Sequence, residues 1–105
     1  MERTFRTYLA PATRAHLIGI GGVSMSALAQ VLASRGIIVT GSDSVRSAAV
    51  IKLENLGIKV AIGHKAENAD ECDCIVRTAA VKDDNAEVVR AKERGVPVFE
   101  RAEAW

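Results

Sequence analysis

The chain has 105 residues, of which 49% are hydrophobic and 26% are charged, a composition typical of one small globular domain. Lys and Arg number 14 against 13 Asp and Glu, so a net charge of +1 excludes a strong field for nucleic acid or an anionic membrane surface. No apolar run approaches about 18 residues, and two cysteines do not make a disulfide scaffold. We therefore expect no membrane span and a reducing, cytoplasmic location.

The N-terminal stretch differs from the rest of the chain. It carries Arg3, Arg6 and Arg14 against the single acid Glu2, and Pro11 interrupts it. We predict that residues 1–14 are a flexible lead-in and that residues 15–105 form the domain. An Arg-rich transit peptide is the alternative interpretation of this composition.

The first half of the domain alternates between strand and helix patterns. An apolar run predicts a strand over residues 16–20, and an apolar stripe at helical spacing predicts a helix that ends at Gly36. The stripe consists of Met25, Leu28, Ala29 and Leu32. A strand over 37–41, a helix over 46–56 and a strand over 58–62 follow. The second helix has Ala49, Val50, Leu53 and Leu56 on one side.

The second half repeats the alternation. We expect a short helical turn within residues 67–73 and a buried strand over 74–77. A third helix over 85–94 has Asn85 as its N-cap and turns Val88 and Val89 inward, and a strand over 97–99 ends the pattern.

Each helix ends in glycine followed at once by a strand, as in Gly36-Ile37, Gly57-Ile58 and Gly95-Val96. Strands that alternate with helices predict an α/β domain with three layers and a parallel five-stranded sheet. Pro97 cannot donate to a sheet ladder, which favours an edge position for the last strand and the order 3-2-1-4-5. Ligands bind such sheets at the carboxyl ends of the strands where the order reverses, here strands 1 and 4.

A glycine-rich turn, residues 19–24, joins the first strand to the first helix. Glycine lets backbone N–H groups approach an anion, and a helix N-terminus carries partial positive charge, so the turn predicts a phosphate or diphosphate site. The expected donors are the amides of Gly22, Val23, Ser24 and Met25, with the hydroxyls of Ser24 and Ser26. A tight turn needed only for packing is the alternative.

Polar residues also follow the other strands. Asp43 closes the second strand, where a ribose-binding acid stands in nicotinamide-binding domains, although Asp there could equally cap a helix. His64 follows the third strand and could contact a base or lie in solvent. Arg77 and Thr78 follow the fourth, where Thr78 could donate a hydroxyl and Arg77 could face a diphosphate or solvent.

Other chemistries find no support in the sequence. The spacing of Cys72 and Cys74 matches no metal motif, and both residues are expected to pack as small hydrophobic side chains. No nucleophilic triad can be assembled, and the phosphate-loop pattern G-x-x-x-x-G-K-S/T is absent. We expect no catalytic residue, no metal and no bound cofactor in this domain.

Residues 16–26 together with Gly41-Ser42-Asp43, Gly63-His64, Asn85 with Glu87 and Val96-Pro97-Val98 resemble the N-terminal domain of the Mur ligase family, in particular its alanine-adding members. The resemblance covers roughly residues 15–105 and implies an incomplete Rossmann-like domain. Such a domain binds the UDP part of UDP-N-acetylmuramate in the bacterial cytoplasm, for peptidoglycan synthesis.

The resemblance also implies that other domains of the enzyme bind the remaining substrates. A central domain binds ATP and Mg²⁺, a C-terminal domain helps bind the amino acid, and this domain alone is inactive. The turn from Gly21 to Ser26 would meet the diphosphate, Asp43 the uridine, and His64 and Thr78 would line the pocket. The sequence departs from the family at Ser24, usually glycine, and at Arg77, where the family usually has a small hydroxyl residue.

Three other interpretations remain open at this stage. One is an NAD-binding or nucleotide-sensing module, and another is an interaction domain that binds no nucleotide. The third is the family member that attaches a tripeptide to the same sugar nucleotide, against which the Gly21-Gly22 doublet favours the alanine-adding enzyme.

Overall fold

The computed structural model describes residue 10 and residues 12–101, and it contains five parallel strands in the order β3-β2-β1-β4-β5. The strands are β1 Arg14–Ile18, β2 Ile38–Asp43, β3 Lys59–Ile62, β4 Cys74–Arg77 and β5 Val98–Glu100. The helices are α1 Val23–Ser34, α2 Ala48–Asn55 and α3 Ala86–Glu93, with a short 3₁₀ helix at Ala66–Ala69. The predicted fold class and strand order are confirmed, including the edge position of the last strand.

Most of the predicted lead-in, residues 1–9 and 11, lies outside the described residues, as do residues 102–105. Its last residue, Arg14, is the first residue of β1, and the amide of Ala12 donates to the carbonyl of Gly36. The sheet therefore begins slightly before the predicted domain boundary.

The alternation of side chains along β1 divides the interior into two cores. Ala15 and Leu17 pack on one face of the sheet with the apolar residues of α1 and α2. Ile18 packs on the other face with Val88 and Ala91 of α3. His16 also faces α3, because strand side chains alternate between faces. The domain thus has the three layers that a parallel sheet requires.

The glycines that end the three helices have positive φ angles, at Gly36 (84°), Gly57 (91°) and Gly95 (72°). Only glycine adopts this conformation readily, which is why each helix stops and the following strand starts within two or three residues. The repeated pattern of a glycine followed by a strand therefore marks the points where the chain needs a positive φ angle to leave a helix.

The structure corrects several predicted boundaries. β1 ends at Ile18 rather than residue 20, because Gly19 turns the chain (φ 76°) and the amides of Gly19 and Ile20 both donate to the carbonyl of Ser42. The predicted turn within residues 67–73 is a 3₁₀ helix that begins and ends earlier. None of the helices in the described part of the chain has the length and hydropathy to cross a membrane.

Two predicted core positions are wrong. Leu56 is the C-cap of α2 and is 60% exposed, and Val89 on α3 is 40% exposed. The inward face of α3 is instead formed by Glu87, Val88 and Ala91. At about 100° per residue, Glu87, Val88 and Ala91 lie within one arc of about 100° on the helix surface, whereas Val89 lies a further 100° or so round and faces solvent.

The adjacent valines of α3 provide a matched test of this packing. Val88→Ala should lower the free energy of unfolding by about 2 kcal/mol, because it leaves a cavity at a fully buried position. Val89→Ala should change it by less than about 0.5 kcal/mol, since Val89 is partly solvated. Urea unfolding of the two variants checks the assignment, and equal losses would contradict it.

Candidate functional site

A crevice of about 560 Å³ opens at the carboxyl ends of β1, β2 and β4. It lies where the strand order reverses, as the topology predicted. Seven of the nine predicted site residues line it: Gly21, Gly22, Val23, Ser24, Met25, Asp43 and Thr78. Ser26 and His64 are not among its lining residues.

The backbone at the start of α1 offers three N–H groups to the crevice. The amide of Gly22, which the sequence suggested as a donor, is used within the turn and donates to the carbonyl of Gly19 (3.1 Å). The amides of Val23, Ser24 and Met25 have no acceptor in the described part of the chain. No acidic side chain lies in the first turn, and the N-cap residue makes no side-chain hydrogen bond. The helix start can therefore receive an anion.

Asp43 holds the glycine turn against the end of β2. Its Oδ2 accepts from the amide of Gly21 (2.8 Å), and its Oδ1 accepts from the amide of Ser44 (2.8 Å). The alternative role as a helix cap is wrong, because Ser47 caps α2 by accepting from the amide of Val50. Oδ1 also accepts from the amide of Val45 (3.4 Å), so it is Oδ2 that keeps a second lone pair for a ligand.

Some predicted site residues contribute backbone rather than side chain. The Met25 side chain is 1% exposed and belongs to the core between α1 and the sheet. The Ser26 hydroxyl donates to the carbonyl of Val23 (3.1 Å) within the same helical turn. The expected contribution of the Ser26 hydroxyl to an anion site is thus weakened by its place inside the helix.

A second polar assembly lies beside the crevice, between the sheet and α3. Its centre is Glu87, which is fully buried and accepts hydrogen bonds from four side chains. The donors are His16 (2.5 Å) and Ser42 (2.7 Å) to Oε1, and His64 (3.1 Å) and Asn68 (3.4 Å) to Oε2. We call Glu87 and these four residues the Glu87 cluster. The sequence placed His64 in a ligand pocket, and the structure joins its ring to this cluster.

The Glu87 cluster favours an ionised carboxylate. Burial is the strongest single influence and by itself would raise the pKa of Glu87. The hydrogen bonds from His16 and Ser42 and the neighbouring imidazole together outweigh burial and lower that pKa below its ordinary value. Charge-assisted hydrogen bonds are the reason that a carboxylate can be buried here.

The arginine that lies beside the start of α1 is not the one that the sequence suggested. Arg77 does not face an anion site: its guanidinium pairs with Asp83 (2.5 Å) and Glu100 (3.2 Å). Arg101, just after β5, instead donates to the hydroxyl of Ser24 at the start of α1 (3.0 Å). Sequence reasoning did not assign Arg101, although its place after the last strand puts it at the same edge of the sheet as the glycine turn.

The cysteines behave as apolar residues. Cys74 is fully buried in β4, and burial raises the pKa of its thiol to about 12 and that of Cys72 to about 11. Such thiols are poor nucleophiles and metal ligands. Among the described residues, no three His, Cys, Asp or Glu side chains are grouped so that they could hold a metal ion.

A family model and the relatives of this chain point to the same protein family. Residues 14–105 match the family model described as "Mur ligase family, catalytic domain". The UDP-N-acetylmuramate–L-alanine ligase of Persephonella marina is 50% identical over 88 residues, which are 84% of this chain and 19% of that protein.

Solved structures agree with this family. The UDP-N-acetylmuramate–alanine ligase of Thermotoga maritima is 39% identical with a TM-score of 0.82, over 85% of this chain and 21% of that one. The UDP-N-acetylmuramate:L-alanyl-gamma-D-glutamyl-meso-diaminopimelate ligase of Neisseria meningitides is 31% identical with a TM-score of 0.78, over 86% and 29%. The chain spans about a fifth of the length of the curated relatives it matches.

The two glycines of the turn should respond differently to alanine. A Cβ at Gly21 would lie 2.8 Å from Asp43 Oδ2 and 2.9 Å from Val50 Cγ2, whereas a Cβ at Gly22 meets only the Gly19 carbonyl at 3.5 Å. Gly21→Ala should therefore lower the free energy of unfolding by about 1–3 kcal/mol. Gly22→Ala should cost less than about 1 kcal/mol. Equal thermal unfolding of the two variants would contradict this geometry.

The ionisation of Glu87 predicts an acid-labile component of stability. Because its pKa is lower in the folded chain than its ordinary value of 4.5, its contribution is complete above that value. The contribution is lost as pH falls through the folded-state pKa. Urea unfolding of the parent and of Glu87→Gln at a series of acid pH values should show a stability difference that shrinks on acidification. A constant difference would contradict the ionised state.

Proposed function

Since this chain belongs to the Mur ligase family, we propose that it binds the UDP part of UDP-N-acetylmuramate, as one portion of an ATP-dependent ligase that adds L-alanine to this peptidoglycan precursor. The proposal takes the substrate from the printed names of relatives that are about 50% identical. The rest of the ligase would act together with this domain, in the bacterial cytoplasm.

The start of α1 is the observation that carries the proposal. The crevice is bordered by three backbone amides that have no acceptor among the described residues, those of Val23, Ser24 and Met25. Glycines of the turn also line it. A diphosphate supplies the several negatively charged oxygens that such a helix start can hold. Arg101 adds a full positive charge next to Ser24, and Thr78 also lines the crevice.

The nucleoside would extend from the diphosphate across β2 towards β3. Asp43 closes β2, and the remaining lone pair of its Oδ2 can accept from the uridine. Gly63 and His64 follow β3, and the amide of Gly63 donates to the carbonyl of Asp43 (2.8 Å). The Asp43 carboxylate and the His64 ring therefore form a polar border along the direction in which the nucleoside would lie.

The residues of this chain do not fit ATP or Mg²⁺. The phosphate-loop pattern that holds ATP is absent from the sequence, and the described residues offer no cluster of metal ligands. We therefore assign ATP and Mg²⁺ binding, the phosphoryl transfer and amino-acid binding to the remainder of the ligase. The role of this chain is to hold and orient the substrate.

A titration followed by amide chemical shifts tests the proposal. UDP and UDP-N-acetylmuramate should shift the amides of Val23, Ser24 and Met25 and should bind more tightly than NAD. Asp43→Ala should weaken both uridine ligands by roughly 10- to 150-fold, the value of a charged hydrogen bond. It should also lower the melting temperature, because the amides of Gly21 and Ser44 lose their acceptor.

Glu93→Ala is the matched control, since it removes one exposed carboxylate from the last turn of α3. It should leave uridine affinity unchanged. Tighter binding of NAD than of UDP, with that preference abolished in Asp43→Ala, would identify a dinucleotide-binding module and overturn the proposal. Binding of neither nucleotide would favour an interaction domain.

A further inference from the structure

The Glu87 cluster has a more elaborate arrangement than packing requires. A fully buried carboxylate on α3 draws hydrogen-bond donors from four separate parts of the chain. Two of the donors are imidazoles, His16 from within β1 and His64 from the loop after β3. His16 is 1% exposed, whereas 31% of the His64 side chain remains exposed. The cluster thus connects a buried charge to a ring at the surface.

The hydrogen bonds determine where the protons lie. An ionised carboxylate only accepts, so His16 carries a proton on Nε2 and His64 carries one on Nδ1. In the neutral ring of His16 the other nitrogen, Nδ1, accepts from the hydroxyl of Thr40 (2.8 Å). Ser42 donates to Glu87, and its oxygen can accept from His64 Nδ1 (3.1 Å). Every group within the cluster has a partner in this assignment, and the described side chains contain no buried polar atom without one.

We infer that Glu87 is a positioning residue: in the neutral ring of His64 it fixes the proton on Nδ1 and leaves Nε2 as a hydrogen-bond acceptor for the nucleoside of the bound nucleotide. This inference rests on the proposed function, because it takes the uridine to lie over β2 and β3. Asn68 supports the same geometry, since its amide donates both to the Gly63 carbonyl (3.0 Å) and to Glu87.

The distances across the sheet allow this contact. Neighbouring strands lie about 4.8 Å apart, so β3 ends about 10 Å from β1, a span that a nucleoside can bridge from a diphosphate at α1. An acceptor at Nε2 pairs with a donor, which uridine supplies as the N3–H of the base or as the ribose 2′-hydroxyl. A cytosine base, which presents an acceptor at N3, would face a second acceptor.

The first experiment needs no variant and no ligand. Ring ¹⁵N spectra of the parent chain at about pH 8.5, where model imidazoles are neutral, report which nitrogen carries the proton. We expect the Nδ1–H tautomer for His64 and the Nε2–H tautomer for His16. The Nε2–H tautomer at His64 would overturn the inference whether or not the chain binds UDP.

The second experiment compares ligands. Binding of CDP about tenfold weaker than UDP, with the difference lost in His64→Ala, would assign the base N–H as the donor to Nε2 rather than to Asp43, and a similar His64-dependent loss with 2′-deoxy-UDP would assign the ribose 2′-hydroxyl. Either result supports the inference. Equal affinity of the three nucleotides would overturn it, whereas failure of all three to bind would refute the proposed function itself.

Matched variants separate positioning from stability. Glu87→Gln replaces one acceptor oxygen with a donor, so it should change the His64 tautomer and abolish the discrimination between nucleotides. Thr40→Val removes the hydroxyl partner of His16 and leaves the His64–Glu87 bond intact, so it should lower stability without either effect. Discrimination that survives in a folded Glu87→Gln variant would overturn the inference. Should that variant not fold, the spectra of the parent and the ligand series of the parent and His64→Ala remain decisive.

Discussion

Glu87 places a carboxylate between α3 and the sheet where its exposure is zero, and the surrounding chain has to satisfy that charge. Burying an unpaired carboxylate costs several kcal/mol, so the carboxylate can stay ionised only with donors in fixed positions. The donors come from β1, β2, the loop after β3 and the 3₁₀ helix. The docking of α3 is therefore tied to the register of two strands and to the path of the β3–β4 crossover.

A second carboxylate, that of Asp43, fixes the glycine turn on the other face of the sheet, at the carboxyl end of β2. Asp43 is the last residue of β2, and strand alternation turns it away from Ser42 and towards the glycine turn. The two neighbours thus serve two assemblies: Ser42 donates to Glu87, while Asp43 holds the amide of Gly21. A ligand over the carboxyl ends of the strands would lie above both, because parallel strands bring these ends to one edge.

The sequence predicted the features that depend on local patterns. Glycine at each helix end, the β-branched strands and Pro97 near the last strand together defined the strand order. Glu87 was missed as a buried residue because a charged side chain in the first turn of a helix is usually solvated, and only its partners from distant strands explain its burial. The Gly22 amide was assigned to a ligand because no pattern indicates that a turn closes onto its own carbonyl at Gly19.

Ser24 illustrates how a side chain in the glycine-rich turn acquires a physical meaning only in three dimensions. Glycine at this position would offer an amide and nothing else, whereas the serine hydroxyl also accepts from Arg101 and holds a guanidinium beside the start of α1. The positive end of the helix and the arginine lie together with no acid in the first turn to balance them. An anion bound between the helix start and the guanidinium would interact favourably with both. This pairing of a helix start with a guanidinium would therefore favour a diphosphate over an uncharged ligand.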